Sequence, residues 1–310
     1  MPGSSRTLMP PDCTGRYAPD APIVGAVPEL RPMRDQDVEA VNELSIAAFE
    51  ELERRDERPP PARPDPVAAY VRLRHLLATD PGGCWVADAE DGALAGVALA
   101  LVREGLWGLS LLAVRPGLQS AGLGTALLRR ALAYGDGARG WIILASHDPL
   151  ALRAYARAGF ALHPSASAHG TPRDTEAAPE VRSFSDADHA LAAAVDRSVR
   201  GAPHGGDLDA LADAGCERLA FPDRGYAVHR GGALKLLAAT DEEAAAALLR
   251  TVLARNPAGG EAEIEWLTSA QQWAIGVAVA AGLELRTGGG VFLRGETGSF
   301  RAYLPGGTYL

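Results

Sequence analysis

Gln119, Gly122, Gly124 and Thr125 stand where an apolar run, Leu106–Val114, gives way to a strongly helix-forming one, Thr125–Leu132. A glycine-bearing turn in that place leaves several backbone N–H groups unpaired at a helix N-terminus, and with the helix dipole they make an anion site. Gly122 and Gly124 lack a Cβ, so a phosphate can come within hydrogen-bonding distance of the backbone. The chemistry on offer is therefore capture of a phosphate or diphosphate. Further along, Tyr155 precedes Gly159-Phe160 on a short helical run begun by Asp148-Pro149, and its hydroxyl can give a proton. His147, the residue before Asp148, can take one.

Three phosphate-binding turns compete for this stretch. A Walker loop needs Gly-Lys-Ser/Thr, and here Thr125 follows Gly124 with no lysine. A dinucleotide fingerprint needs a third glycine, where Leu127 sits, and an acid about 20 residues on. It also belongs after a first strand, whereas Leu106–Val114 reads as the fourth. The third candidate fits. Val114-Arg115-Pro116, Gln119, Gly122 and Gly124 closely resemble the signature Gln/Arg-x-x-Gly-x-Gly/Ala, after a strand ending Val-x-Pro, of the GNAT superfamily of acyl-CoA N-acyltransferases. A second stretch, Ala151–Phe160, resembles that family's Asn-x-x-Ala-x-x-x-Tyr-x-x-x-Gly-Phe, with Asp148 standing where asparagine is usual.

The resemblance implies acetyl-CoA as acyl donor. It places Gln119, Ser120, Ala121, Gly122, Leu123, Gly124 and Thr125 around the pyrophosphate, and Leu112, Ala113 and Val114 along the pantetheine arm, paired through their backbone like an added strand. Asp148 would border that arm, and Tyr155 would protonate the departing sulfur. The plain alternative for Tyr155 is a helix residue packed on a sheet. The general base stays open. Many members of the family use a glutamate on the central strand, but Leu106–Val114 contains none. His147, Glu50, Glu51 and the terminal carboxylate of the tail Tyr303–Leu310 remain as candidates, the last by resemblance to some tandem members of the family.

The elements that must hold these residues are legible from periodicity. Glu29–Met33 predicts a first strand, and Asp35 or Asp37 caps a helix through Val38, Val41, Leu44, Ile46 and Phe49. Pro59-Pro60-Pro61 stops that helix, and a second carries Val67 to Thr79. Cys84–Ala87 and Leu94–Val102 read as paired strands, Trp141–Ala145 as a buried one, and Leu150–Ala158 as a helix closed by Gly159. Phe160–His163 begins a further strand. The order βααβββαβαβ is the one the resemblance implies.

The pattern then restarts. Glu180–Asp188 echoes Glu29–Asp37, and Trp273–Arg286 echoes Leu150–His163, so the chain reads as a tandem repeat. Between the echoes lie strands at Tyr226–His229, Leu234–Ala239 and Glu263–Leu267 and a helix over Asp241–Arg255. Where the second half should carry its phosphate turn it has Thr240-Asp241-Glu242-Glu243, three carboxylates that cap a helix and repel a diphosphate. The expected fold class is α/β (α+β): two tandem GNAT-like domains, each a mixed, mostly antiparallel twisted sheet flanked by helices. The expected layout is a disordered segment over 1–27, a catalytic domain over 28–166, a linker over 167–179 within a polar stretch at 164–180, and a degenerate domain over 180–310. Residues 56–66 and 200–224 are expected to shape the acceptor pocket.

Composition bounds the rest. The 310 residues are 47% hydrophobic and 22% charged, with a net charge of -9 and Lys235 as the only lysine. An acidic surface argues against nucleic acid, and no apolar run suffices to span a bilayer, so a cytoplasmic protein is expected, monomeric or homodimeric. Cys13, Cys84 and Cys216 suit neither a disulfide framework nor a metal site. The sequence thus points to an N-acyltransferase acting on an amine-bearing small molecule without a metal, and alternatively to a non-catalytic acyl-CoA sensor.

Overall fold

The computed structural model describes residues 28–58, 63, 65–119 and 122–310. The expected disordered segment 1–27, the whole proline run 59–61, Ser120, Ala121 and Cys13 lie outside them. The first half runs β1 (Leu30–Pro32), α1 (Val38–Arg55), α2 (Pro66–Thr79), β2 (Cys84–Asp88), β3 (Leu94–Arg103), β4 (Leu106–Val114), α3 (Leu123–Tyr134), β5 (Gly140–Ala145), α4 (Pro149–Arg157) and β6 (Ala161–Gly170). The second runs β7 (Arg182–Ser183), α5 (His189–Val199), α6 (Asp207–Asp213), β8 (Glu217–Phe221), β9 (Gly225–Arg230), β10 (Ala233–Ala239), α7 (Glu242–Ala254), β11 (Ala262–Leu267), α8 (Gln272–Ala280), β12 (Glu284–Gly295) and β13 (Tyr303–Leu304).

This is a mixed α/β fold whose largely antiparallel sheet is flanked by helices. The sheet is single and continuous, in the order β1-β2-β3-β4-β5-β12-β6-β11-β10-β9-β8-β7, with β13 on β10. Each half lends its late strand to the other: β12 pairs with β5, and β6 pairs with β11. Residues 164–170 are therefore not linker but the second part of β6, bonded to β12 and β11 at once. The polar, small side chains of that stretch hid the strand, because its stability comes from ladder bonds on both edges and not from an apolar pattern. The expected boundary at 166 falls inside it.

β3 explains how the layers close. Val97, Leu99 and Leu101 face a core that also takes in α1, α2, α5 and α6, while Ala98 and Ala100 face α3 and α4. Both faces are apolar, as a strand covered on both sides requires. The first of these cores spans both halves, from Met33 to Leu310. The repeat is visible in detail: Arg31 pairs with Asp37 and Arg182 with Asp188, each at 2.7 Å, and each aspartate also accepts the backbone N–H three residues before it. Between the halves, Asp207 joins Arg103 and His75, each at 2.7 Å.

Among the described residues no helix is long and apolar enough to cross a membrane, and no group of three His, Cys, Asp or Glu is placed to hold a metal. Cys84 and Cys216 are free thiols, and burial pushes Cys84 up to about 12, so it is unreactive near neutral pH.

Candidate active site

β4 and β5 run parallel from Leu106↔Gly140 to Leu109↔Ile143 and then part. The cause is a bulge at Ser110: on β3, Ala100 faces Leu109 and Leu99 faces Leu111, which leaves Ser110 unopposed. Beyond it Leu112, Ala113 and Val114 stay bonded to β3 on one side, and among the described residues no strand pairs with their other edge. The turn that follows is braced by Gln119, whose Nε2 donates to the Val114 carbonyl at 3.3 Å. Gly122, at φ +88°, is the N-cap of α3 and offers no side chain to its first N–H groups. Gly124 has no such backbone demand, and among the described residues a Cβ there would meet only Val114 Cγ2, at an ordinary 3.6 Å. Leu123 is buried beneath and anchors the helix start, and Thr125 follows on its open side.

Opposite this turn stands α4. Asp148 caps it by accepting the Leu150 N–H at 3.0 Å, Pro149 supplies its first position, and Gly159 ends it at φ +83°. Tyr155 points inward at 5% exposure, edge-on to Phe292 of β12 with ring centroids 5.4 Å apart. Burial, and then the Asp148 charge, raise its hydroxyl above the usual tyrosine range, so it stays protonated. A cavity of about 390 Å³ lies between α3 and α4, lined by Gln119, Gly122, Gly124, Thr125, Asp148 and Tyr155. A second, of about 120 Å³, fills the split between β4 and β5 and shares Leu112, Val114, Gln119, Asp148 and Tyr155 with the first. The structure thus brings the expected Leu112, Ala113, Val114, Gln119, Gly122, Leu123, Gly124, Thr125, Asp148 and Tyr155 to one place.

A third cavity, about 1180 Å³, lies between the halves and borders the split at Ser110, Leu111, Ala145 and Ser146. His147 is on its wall, its Nε2 2.9 Å from Asp56 and 3.9 Å from Glu53. Glu50 and Glu51 are taken up by Arg63 and Arg54, at 3.0 and 2.7 Å. The tail docks: the Thr308 carbonyl accepts the Ser110 hydroxyl at 2.7 Å, and Arg72 bridges Ser110 Oγ at 2.7 Å and the Gly307 carbonyl at 3.3 Å. Leu310 itself turns away from the cavity. It is buried, and its oxygen accepts from His204 Nε2 at 2.9 Å and from the Tyr303 hydroxyl at 2.6 Å.

Of residues 200–224, Leu211, Ala214 and Cys216 reach a smaller cavity beside α1 and α2, and none reaches the large one. The second half does supply Glu265, Trp266 and Lys235 to the large cavity. Burial and the neighbouring Glu263 push the Glu265 carboxyl up to about 7. Sequence reasoning read Glu263–Leu267 only as a strand. The alternation of Glu263 and Glu265 within it was the available sign of two carboxylates on one face of the strand.

Residues 46–160 match the model of the acetyltransferase (GNAT) family. A candidate acetyltransferase from Pyrococcus horikoshii has a similar structure, with a TM-score of 0.74 and 15% identity over 94% of this chain and 98% of its own. So do a tandem GNAT protein from the clavulanic acid biosynthesis pathway (0.56, 17%, 86% and 98%) and a GCN5-related N-acetyltransferase from Sphaerobacter thermophilus (0.56, 17%, 86% and 95%). No curated protein sequence matches the chain.

Proposed function

We propose, for a chain that belongs to the GNAT family through residues 46–160, that its first half is an N-acetyltransferase moving an acetyl group from acetyl-CoA to an amine of a small-molecule acceptor. The observation that carries this reading is the open edge of Leu112–Val114 leading into a helix start without a side-chain cap. Gly124 adds to it. Neither dihedral angle nor crowding calls for glycine there, so its bare backbone suits a diphosphate lying against it.

The donor supplies an acetyl group activated as a thioester. The main-chain N–H groups of residues 122–125, with Ser120 and Ala121 outside the described residues, hold its diphosphate, and Gln119 keeps the turn in shape. Leu112, Ala113 and Val114 bind the amide-bearing arm as a sheet edge binds a strand. Asp148 fixes the start of α4 and so the height of Tyr155, which gives its proton to the leaving thiolate. His147, whose Nε2 lies 2.9 Å from Asp56 but makes no hydrogen bond to it, is the first half's candidate to take the proton of the amine. Attack is direct, with both substrates bound together, so orientation does most of the work.

Calorimetric titration with acetyl-CoA tests the reading: one site per chain, lost in Gly124→Glu, supports it, and no binding sinks it. The competing reading, a sensor that binds the donor and transfers nothing, draws on the absence of a carboxylate from β4. Release of free thiol on mixing acetyl-CoA with a panel of amines separates the two.

A further inference from the structure

We propose that Lys235 is an internal acceptor, acetylated on its ε-amine by the donor held in the chain's own first half. The proposal rests on the donor reading above. Its geometry comes from the repeat. Lys235 is the bulged residue of β10, since Leu234 faces His229 and Leu236 faces Val228, just as Ser110 is the bulged residue of β4. The tail runs from one bulge to the other: Gly306 packs on the Lys235 carbonyl, and Thr308 accepts the Ser110 hydroxyl at 2.7 Å. Residues 306 and 308 are at most about 7 Å apart even when fully extended, so the two bulges are close neighbours. The flexible four-carbon stem of a lysine covers much of that gap.

Lys235 lines the 1180 Å³ cavity with Ser110 and Leu111, and it also lines the smaller cavity with Arg72 and Thr308. Among the described residues no hydrogen bond or ion pair engages its ammonium group. Glu265, on the neighbouring parallel strand, faces the same cavity within reach of the Lys235 charge, and among the described residues it likewise makes no hydrogen bond or ion pair. Its carboxyl, pushed up to about 7 by burial and Glu263, can receive a proton from that ammonium near neutral pH. The step balances. The ammonium gives one proton to Glu265, and the free amine forms the C–N bond as the C–S bond breaks. The second proton leaves nitrogen for solvent, and Tyr155 protonates the thiolate. The product amide is uncharged and fills part of the acceptor cavity, which makes it a brake that operates when no acceptor is present. Being the only lysine of the chain, Lys235 leaves the assay one side-chain amine to find.

The test uses the full chain with acetyl-CoA alone. Intact mass and peptide mapping should find one acetyl group per chain, on Lys235. Lys235→Arg, which keeps the charge, should take up none, and Gly124→Glu, which removes the donor, should take up at least tenfold less. Glu265→Gln should slow the uptake severalfold at pH 7. Acetyl-CoA bound by calorimetry without incorporation overturns the proposal and leaves the donor reading intact, whereas absence of binding overturns both. Incorporation at the N-terminus instead, or equal incorporation in Gly124→Glu, also overturns it.

Discussion

The edge of β4 and the edge of β10 were built to one plan and now differ in two places. Each strand starts beside a parallel partner, bulges once, at Ser110 or Lys235, and ends four residues later, at Val114 or Ala239. Past the bulge β4 leaves an edge free. On β10 the same edge is taken: Leu304 of β13 lies opposite Leu237 and Tyr303 opposite Ala238. The chain's own tail thus occupies, in the second half, the slot that the reading above gives to the donor's arm in the first. The turns differ as well. Gly122 leaves the start of α3 bare, while Asp241 accepts the Ala244 N–H at 2.9 Å and pairs with Arg224 at 2.6 Å, closing the start of α7. Two features on which the donor reading of the first half rests, a free edge and an uncapped helix start, are thus both missing from the second.

The largest expected effect comes from removing the tail that distinguishes the two edges. Deleting residues 308–310 removes the buried Tyr309 and Leu310 side chains, about 1.5–3 kcal/mol each, and takes one hydrogen-bond acceptor each from His204 and Arg200. A loss of about 5 kcal/mol in denaturant unfolding is expected, with no second acetyl-CoA site, because β13 stays in place. If stability holds and a second site opens, the comparison fails. Gly124→Glu is next. A carboxylate against the bare helix start should weaken acetyl-CoA binding by about 100-fold, or about 2.7 kcal/mol, with the melting temperature unchanged because the added Cβ finds room. Tyr155→Phe keeps the packing on Phe292 and removes only the hydroxyl. The expected result is kcat down by about 100-fold with acetyl-CoA affinity unchanged.

How much of this was legible in the sequence follows from what stabilises each part. Leu106–Val114, Val67–Thr79 and the start of α4 were readable because local chemistry decides them: an apolar run, a helical spacing of apolar residues, and an aspartate before a proline at the first helical position. Gly122 was readable for the same reason, since its φ of +88° is a conformation that favours glycine. The exchange of β6 and β12 was not. His163–Gly170 carries no alternating pattern, and what fixes it as strand is the ladder formed with residues more than a hundred positions away. Glu265 and Lys235 were hidden by the same distance. Each is ordinary in its own strand, and only the closing of one half on the other puts them in a cavity with Ser110.

The smallest expected effects test whether the second turn is a cap or a damaged cradle. Replacing Asp241, Glu242 and Glu243 with glycine should leave the stoichiometry at one acetyl-CoA per chain, because the edge of β10 remains filled, and should cost about 1 kcal/mol, a small part through the cap and most through glycines in the first turn of α7. The charge of that cap is a finer matter. Arg224 in the first place, then the Ala244 N–H, holds the Asp241 carboxyl down at about 2, below its ordinary 3.8. A depressed carboxyl stabilises the fold above its unfolded value and ceases to do so as pH falls through its folded one, so the window is about pH 4 down to 2. The pair is nearly half exposed, which holds the contribution under about 1 kcal/mol. Asp241→Asn keeps a capping oxygen and removes the charge. It should be slightly less stable than the parent at pH 7, with the gap narrowing below pH 4. A gap that stays constant across that range would mean that the carboxylate acts through its shape alone, and that the second turn was never electrostatically opposed to a diphosphate.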